Sequence, residues 1–217
     1  MEFQLACLRW GNRHLPWKKR RYQRFRGRHG LLVQLGSGSY IQPGWINIDC
    51  YPYSTVDLIG DLNDPLPFDT ASVKAIFTEH FLEHLPYKEA CRLLSECHRV
   101  LAPGGRLRIV VPDGEKILKA YAAGDRWLLD IANSEEWRIV RSEIGRPFAT
   151  PMEVVNEVCR QSGEHKFLYD FETLALILAS ANFSKIERSS LLTSPLPELQ
   201  IDQKWRGQES LYVEAIR

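Results

Sequence analysis

The 217-residue sequence predicts an α/β fold, a mostly parallel sheet with helices on both faces. Three observations carry that expectation. Short apolar runs alternate with longer stretches of helical periodicity, the pattern of strands joined by crossovers. The clearest runs end in turn chemistry: Gly36-Ser37-Gly38-Ser39 after the first, Pro112-Asp113 after the fifth. The length fits one large domain, and 44% hydrophobic with 25% charged residues is ordinary for a globular chain.

The first run is Leu31 to Leu35. The second is Trp45 to Asp49, and a weaker third is Val56 to Ile59. The fourth is Val73 to Thr78. From Tyr87 to Leu101, Ala90, Leu93, Leu94, Cys97, Val100 and Leu101 fall at helical spacing, and Pro103-Gly104-Gly105 stops that helix. Leu107 to Val111 is the fifth strand. Residues 114 to about 166 carry no strand signal. Their apolar positions, Ile117, Leu118, Trp127, Leu128 and Ile131 among them, predict an inserted helical lid. Phe171 to Ala181 reads as a further helix, and Lys185–Arg188 and Ser210–Ile216 as two late strands.

Net charge is +1, but the sum hides an asymmetry. Residues 1–30 hold nine Lys/Arg against one acid, Glu2; the rest holds 19 basic and 26 acidic residues. The chain therefore divides into a basic arm, 1–30, and an acidic body, 31–217. The arm interleaves Trp10, Trp17, Tyr22 and Phe25 with its charges, so it suits an anionic partner, RNA or a membrane surface, or else docks on the body. No run of about 18 apolar residues marks a membrane-spanning helix, and no apolar leader opens the chain, so a cytoplasmic location is expected. The five cysteines form no C-x-x-C and suggest neither a disulfide framework nor a zinc knuckle.

The Gly36-Ser37-Gly38 turn after a strand lets backbone approach a ligand closely and presents N–H groups. Such a turn is common by itself. Asp49 closes the next strand 13 residues after Gly36, where an acid can accept from both ribose hydroxyls of a nucleoside. Asp61-Leu62 follows the third run, where a carboxylate and a backbone N–H could meet an adenine edge. Each acid alone could equally cap a loop turn; three features in order at strand ends favour a nucleoside cofactor. A nicotinamide fingerprint would need a third glycine at position 41, which is Ile41.

Val33-Gln34-Leu35-Gly36-Ser37-Gly38, the Gly60-to-Phe68 loop, Ser72 to Leu85 and Arg99 to Leu107 together resemble class I S-adenosylmethionine-dependent methyltransferases of the type 11 kind, including small members linked to glycan or cell-surface biosynthesis. The match covers residues 31–113 in the family's order, and Glu209 to Ala215 is similar to that subgroup's last strand. The resemblance implies a Rossmann-like seven-stranded sheet in the order 3-2-1-4-5-7-6, the last strand antiparallel, with a helical insertion at about 114–166. It implies S-adenosylmethionine as cofactor. Gln34, Gly36, Ser37 and Gly38 would face its methionine part, Asp49 its ribose, Asp61 and Leu62 its adenine, and Glu79 and His80 would lie beside the sulfonium and the substrate mouth.

Two features depart from the family pattern. Gln34 stands where many members have an acid. Only nine residues, Ser37 to Trp45, link the first two strands, and Pro43-Gly44 opposes a helix there, so no helix dipole is expected to hold the cofactor's carboxylate.

His80-Phe81-Leu82-Glu83-His84 spells a zinc-protease motif, but it directly follows a strand, meets Pro86 two residues on and lacks a further ligand, so no metal is expected. The Asn/Asp-Pro-Pro-aromatic motif of amino-methylating nucleic-acid enzymes is replaced by Thr78-Glu79-His80-Phe81. An acceptor hydroxyl would need a base; His80 is the first candidate and Asp113 the second, both at carboxyl ends of strands. The expected acceptor is a small molecule or glycan. An RNA acceptor gripped by the arm, and a non-catalytic cofactor-binding scaffold, stay open, as does the oligomeric state.

Overall fold

The computed structural model describes residues 23–50, 56–60, 62, 64–135, 137 and 143–217. Seven strands form one sheet: β1 (Leu31–Leu35), β2 (Ile46–Asp49), β3 (Leu58–Ile59), β4 (Val73–Glu79), β5 (Leu101–Pro112), β6 (Ser184–Arg188) and β7 (Ser210–Ile216). Their order is β3-β2-β1-β4-β5-β7-β6. β1 to β5 pair in parallel, and β7 lies antiparallel between β5 and β6. β1, β2 and β4 are buried along almost their whole length because both faces of a parallel sheet are covered.

One face packs on α1 (Tyr87–Val100) and α5 (Phe171–Ser180). α1 buries Ala90, Leu93, Leu94, Cys97 and Val100, a stripe at intervals of three and four. Its last turn does a second job. Arg99 donates to the Leu66 and Phe68 carbonyls and to Glu96, while Glu96 accepts the Leu66 N–H. The loop after β3 is thereby fastened to the helix. The expected Pro103-Gly104-Gly105 stop is a bend inside β5, which begins at Leu101, directly after the helix.

The opposite face holds Trp45, Ala75, Phe77, Val110 and Tyr212. Among the described residues it is covered by the β6–β7 connector, residues 189–209, whose Leu191, Leu196, Leu199 and Ile201 pack there. The connector contains only two single 3₁₀ turns, Pro197–Leu199 and Lys204–Arg206. Its anchor is Arg108 of β5, fully buried in the sheet. Arg108 donates to both Asp202 oxygens (2.7 and 2.6 Å), to Glu214 (2.9 Å), and to the carbonyls of Ser190 and Thr193.

The region expected as a lid forms α2 (Gly114–Ala122), α3 (Trp127–Ala132) and α4 (Pro151–Arg160). It has its own small core around Ile117, Leu128, Ile131, Trp137, Val154 and Val158. A capping box of Thr150 and Glu153 with Pro151 at the first position starts α4. The arm's residues 1–22 lie outside the described residues. The described end of the arm docks on the body: Phe25 is buried against Phe68, and the Gly27 N–H donates to Asp69. Among the described residues, no helix is long and apolar enough to cross a membrane.

Arg108→Ala leaves Asp202 buried without its cation and Glu214 with Arg106 alone. Urea denaturation is expected to show a loss of about 3–5 kcal/mol, as for other broken buried pairs, with little change in m-value.

Candidate active site

The Gly36 turn sits at the carboxyl end of β1, beside the end of β2. Gly36 has φ +64°, and a Cβ there would meet the Phe81 ring at 2.2 Å. Gly38 has φ +54° and open space where a Cβ would point. The N–H groups expected to be free are taken. Ser37 N–H donates to the Ile48 carbonyl (3.1 Å) and Gly38 N–H to Asp49 Oδ2 (2.8 Å). The first bond extends the β1–β2 pairing past the strand; the second sets the Asp49 carboxylate across the turn. The Ser37–Trp45 link contains turns and no helix, as its nine residues dictate. Gln34 donates its amide N–H to the Tyr40 carbonyl (3.0 Å), and its buried Oε1 has no hydrogen-bond partner. Leu62 is buried and lines, with Ile48, Leu58, Gly60 and Asp64, a cavity of about 10 Å³. Asp61 lies outside the described residues.

A second cluster stands at the carboxyl ends of β4 and β5. β4 ends in a sharp turn, because His80 adopts φ +47°, a strained value for a residue with a Cβ. The turn sends two neighbours to different places. Phe81 goes to Gly36; His80 goes under the insertion. There His80 Nε2 lies 2.8 Å from Ser210 Oγ and 3.9 Å from Glu209 Oε1, and Nδ1 lies 3.3 Å from Glu83 Oε1. Burial, then the Arg206 charge, hold the His80 ring well below its usual range, so it is neutral at neutral pH.

Glu79 does not reach toward the cofactor turn. Both its oxygens accept from Gln203, from the backbone N–H (3.0 Å) and the side-chain amide (2.9 Å), so it ties β4 to the connector. Asp113 caps α2, accepting the Lys116 N–H at 3.1 Å. Of the two base candidates, only His80 lines the cavity under the insertion. That cavity holds about 50 Å³ and is also lined by Glu83, His84, His165, Arg206 and Glu209.

Glu209 is the site residue that sequence reasoning passed over. Burial raises its carboxyl to about 7 even though Arg206 Nη1, 3.5 Å away, opposes the shift. The signal was present in one form: Glu209 directly precedes the last strand at the end of an otherwise unpatterned segment.

The profile of a methyltransferase domain, type 11, matches residues 48–109, from the end of β2 into β5. Together with the strand order, this marks the chain as an S-adenosylmethionine-dependent methyltransferase of class I fold, with a segment that matches the type 11 methyltransferase domain. S-adenosylmethionine is its cofactor. No curated protein matches it significantly. Among solved structures, an S-adenosylmethionine-dependent methyltransferase from Thermotoga maritima superposes with TM-score 0.51 at 15% identity, over 92% of this chain and 88% of that one. A Nostoc punctiforme protein described as an O-methyltransferase gives 0.52 at 10% identity, over 93% of this chain and 56% of that one. An S-adenosylmethionine-dependent methyltransferase from Archaeoglobus fulgidus gives 0.49 at 14% identity, over 93% of each chain. At such identities the likenesses to the Thermotoga and Nostoc proteins speak for the fold alone.

The methyltransferase's donor set fits the cofactor. An unpartnered Gln34 Oε1 and the Asp49 carboxylate are acceptors, suited to an ammonium and to ribose hydroxyls, and the Gly38 side of the turn is open.

The two glycines are expected to differ. Gly38→Ala meets only backbone strain, about 1–2 kcal/mol. Gly36→Ala adds a clash with Phe81, a further 1–3 kcal/mol or so. Parallel urea titrations of the two variants check the ranking.

Proposed function

We propose that this methyltransferase methylates a hydroxyl or amine of a small polar molecule or a glycan, and that Glu209, beside His80, takes up the acceptor's proton. The bound cofactor supplies an electrophilic methyl group. The chain's own residues then have three tasks: hold the acceptor in line, exclude water and receive a proton. What supports the reading most is the covered cavity beside His80. It lies beneath α4 and presents histidine, carboxylate and guanidinium groups among Pro112, Trp137 and Val158, a mixed lining that suits the polar reacting end of an acceptor.

Gln34, the Gly36-Ser37-Gly38 turn and Asp49 would bind the cofactor, with Asp61 and Leu62 at its adenine. Glu79 has a positioning role through Gln203 in this reading. His80 is the first residue to bridge the two regions, since the same turn that seats it under the insertion presses Phe81 onto Gly36. His80 Nε2 holds Ser210, with Glu209 3.9 Å from the same nitrogen, and the Glu209 carboxylate accepts the proton. A carboxyl raised to about 7 is matched to that task near neutral pH. Asp113, committed to its helix cap, is left with a structural role. In domain terms, residues 31–217 form the methyltransferase domain and 1–30 an arm, acting in the cytoplasm.

Calorimetry with S-adenosylmethionine and S-adenosylhomocysteine tests the cofactor assignments. Asp49→Ala is expected to weaken binding about 10–100-fold, the worth of hydrogen bonds to a charged group. Glu209→Gln is expected to leave cofactor binding unchanged but to lower kcat about 100-fold or more against an acceptor found by labelled-methyl screening. Equal kcat in both proteins would remove Glu209 from the chemistry.

The surplus of eight positive charges in residues 1–30 favours a second reading, an RNA acceptor held by the arm. RNA affinity falling steeply with salt, and lost on deleting residues 1–22, is its expected outcome; salt-insensitive or absent binding returns the acceptor to the small polar class.

A further inference from the structure

We propose that Glu83, His84 and His165 form a site for one divalent transition-metal ion of the zinc class, which pins the helical insertion to the sheet. The three side chains come from two places 81 residues apart, counted from His84 to His165. Glu83 and His84 both lie in the 3₁₀ turn Leu82–His84 that follows β4; His165 lies in the segment leaving α4. One ligand atom from each falls within 4.8 Å of the others. Tetrahedral bonds of about 2.0–2.1 Å place ligand atoms about 3.3 Å apart, so modest side-chain rotations close the set.

Three observations point to an ion here. The first is Glu83. Its side chain is 1% exposed, and neither carboxylate oxygen reaches a hydrogen-bond partner. His80 Nδ1 stands 3.3 Å and His165 Nε2 3.9 Å from Oε1. A buried carboxylate with no partner is costly, and coordination to a cation is one of the few ways to recover that cost.

The second is the arrangement of the imidazoles. His165 Nδ1 lies 2.5 Å from the Val158 carbonyl, which fixes the proton on Nδ1 and leaves the Nε2 lone pair turned toward Glu83. Metal-bound histidines characteristically donate their second ring N–H in this way, as His165 does here. The two rings meet edge to face with centroids 4.7 Å apart.

The third is that the backbone already brings both halves together without the ion. The Glu83 carbonyl accepts from Lys166 N–H (2.7 Å) and Phe167 N–H (3.2 Å). The cavity of about 50 Å³ beside the three ligands has room for a metal-bound water. Two imidazoles and a carboxylate are a borderline donor set that favours Zn²⁺ and its neighbours over Mg²⁺ or Ca²⁺. Arg206 also faces the cavity, but Glu209 lies 3.5 Å from its guanidinium, and Glu157 lines the same space.

This site does not take the form that the His80–His84 motif spells. The segment is a single 3₁₀ turn, so His80 and His84 do not share a helix face, and His80 Nε2 is engaged with Ser210. The further ligand that the sequence lacked is His165.

The test uses the full chain, stripped with chelator and titrated with Co²⁺. One equivalent is expected to bind with the visible ligand-field bands of a four- or five-coordinate ion, to be displaced by Zn²⁺, and to raise Tm. His84→Ala and His165→Ala are each expected to weaken binding about 100-fold or more, at or beyond the upper end of what losing an outer partner costs. His98→Ala, on α1, should change nothing. Circular dichroism establishes that each variant folds. If His165→Ala does not, His165→Gln keeps a donor for the Val158 carbonyl while removing the imidazole. Absence of one-equivalent binding to the wild-type chain, or bands that survive in both folded His variants, overturns the proposal. Neither readout needs the acceptor or methyl transfer, so the site and the proposed activity fail separately.

Discussion

The burial of Arg108 constrains much of what surrounds the site. A guanidinium inside a sheet must have its charge met and its N–H groups paired, because desolvation is otherwise prohibitive. Here Asp202 and the Ser190 and Thr193 carbonyls meet it from the β6–β7 connector, while Glu214 meets it from β7. The connector has no helix longer than one turn and little periodicity of its own, so this polar knot sets its path. That path delivers Gln203 to Glu79, and then Arg206 and Glu209 to the cavity under the insertion. A side chain in the middle of the sheet thus positions charged groups at its edge.

The same logic explains what was legible in the sequence. Strand runs such as Leu31–Leu35 and Ser210–Ile216 coincide with the observed strands because burial on both faces writes itself as an apolar run. α1 was legible because its stripe repeats at helical spacing. The nine-residue Ser37–Trp45 link was legible as helix-free because its length and Pro43-Gly44 leave no alternative. Asp49 and Gly38 were legible as a pair at strand ends, though not their direct hydrogen bond.

What could not be read depends on contacts between distant segments. His80 and Ser210 are 130 residues apart and meet at 2.8 Å. Glu79 and Gln203 are 124 apart. No periodicity or local spacing announces such meetings; they follow from strand order, which puts β7 beside β5 and β5 beside β4. Glu79 was placed beside the sulfonium by resemblance, and its link to Gln203 has no local signature. Asp113, the second candidate base, also caps the first turn of α2.

The turn at His80 joins these threads. A left-handed residue ends β4, and the strain is sustained by the bond from its N–H to the Val110 carbonyl (2.8 Å) and by the contacts of its ring. Turning the chain there puts consecutive side chains to separate uses: Phe81 against the glycine of the cofactor turn, His80 against Glu209 and Glu83. The two regions are therefore one rigid step apart along the backbone. A change at Gly36 must move Phe81, and Phe81 cannot move far without rotating the peptide that holds His80. In a fold whose first crossover has no helix to order the cofactor turn, this short covalent link from β4 takes over part of that ordering.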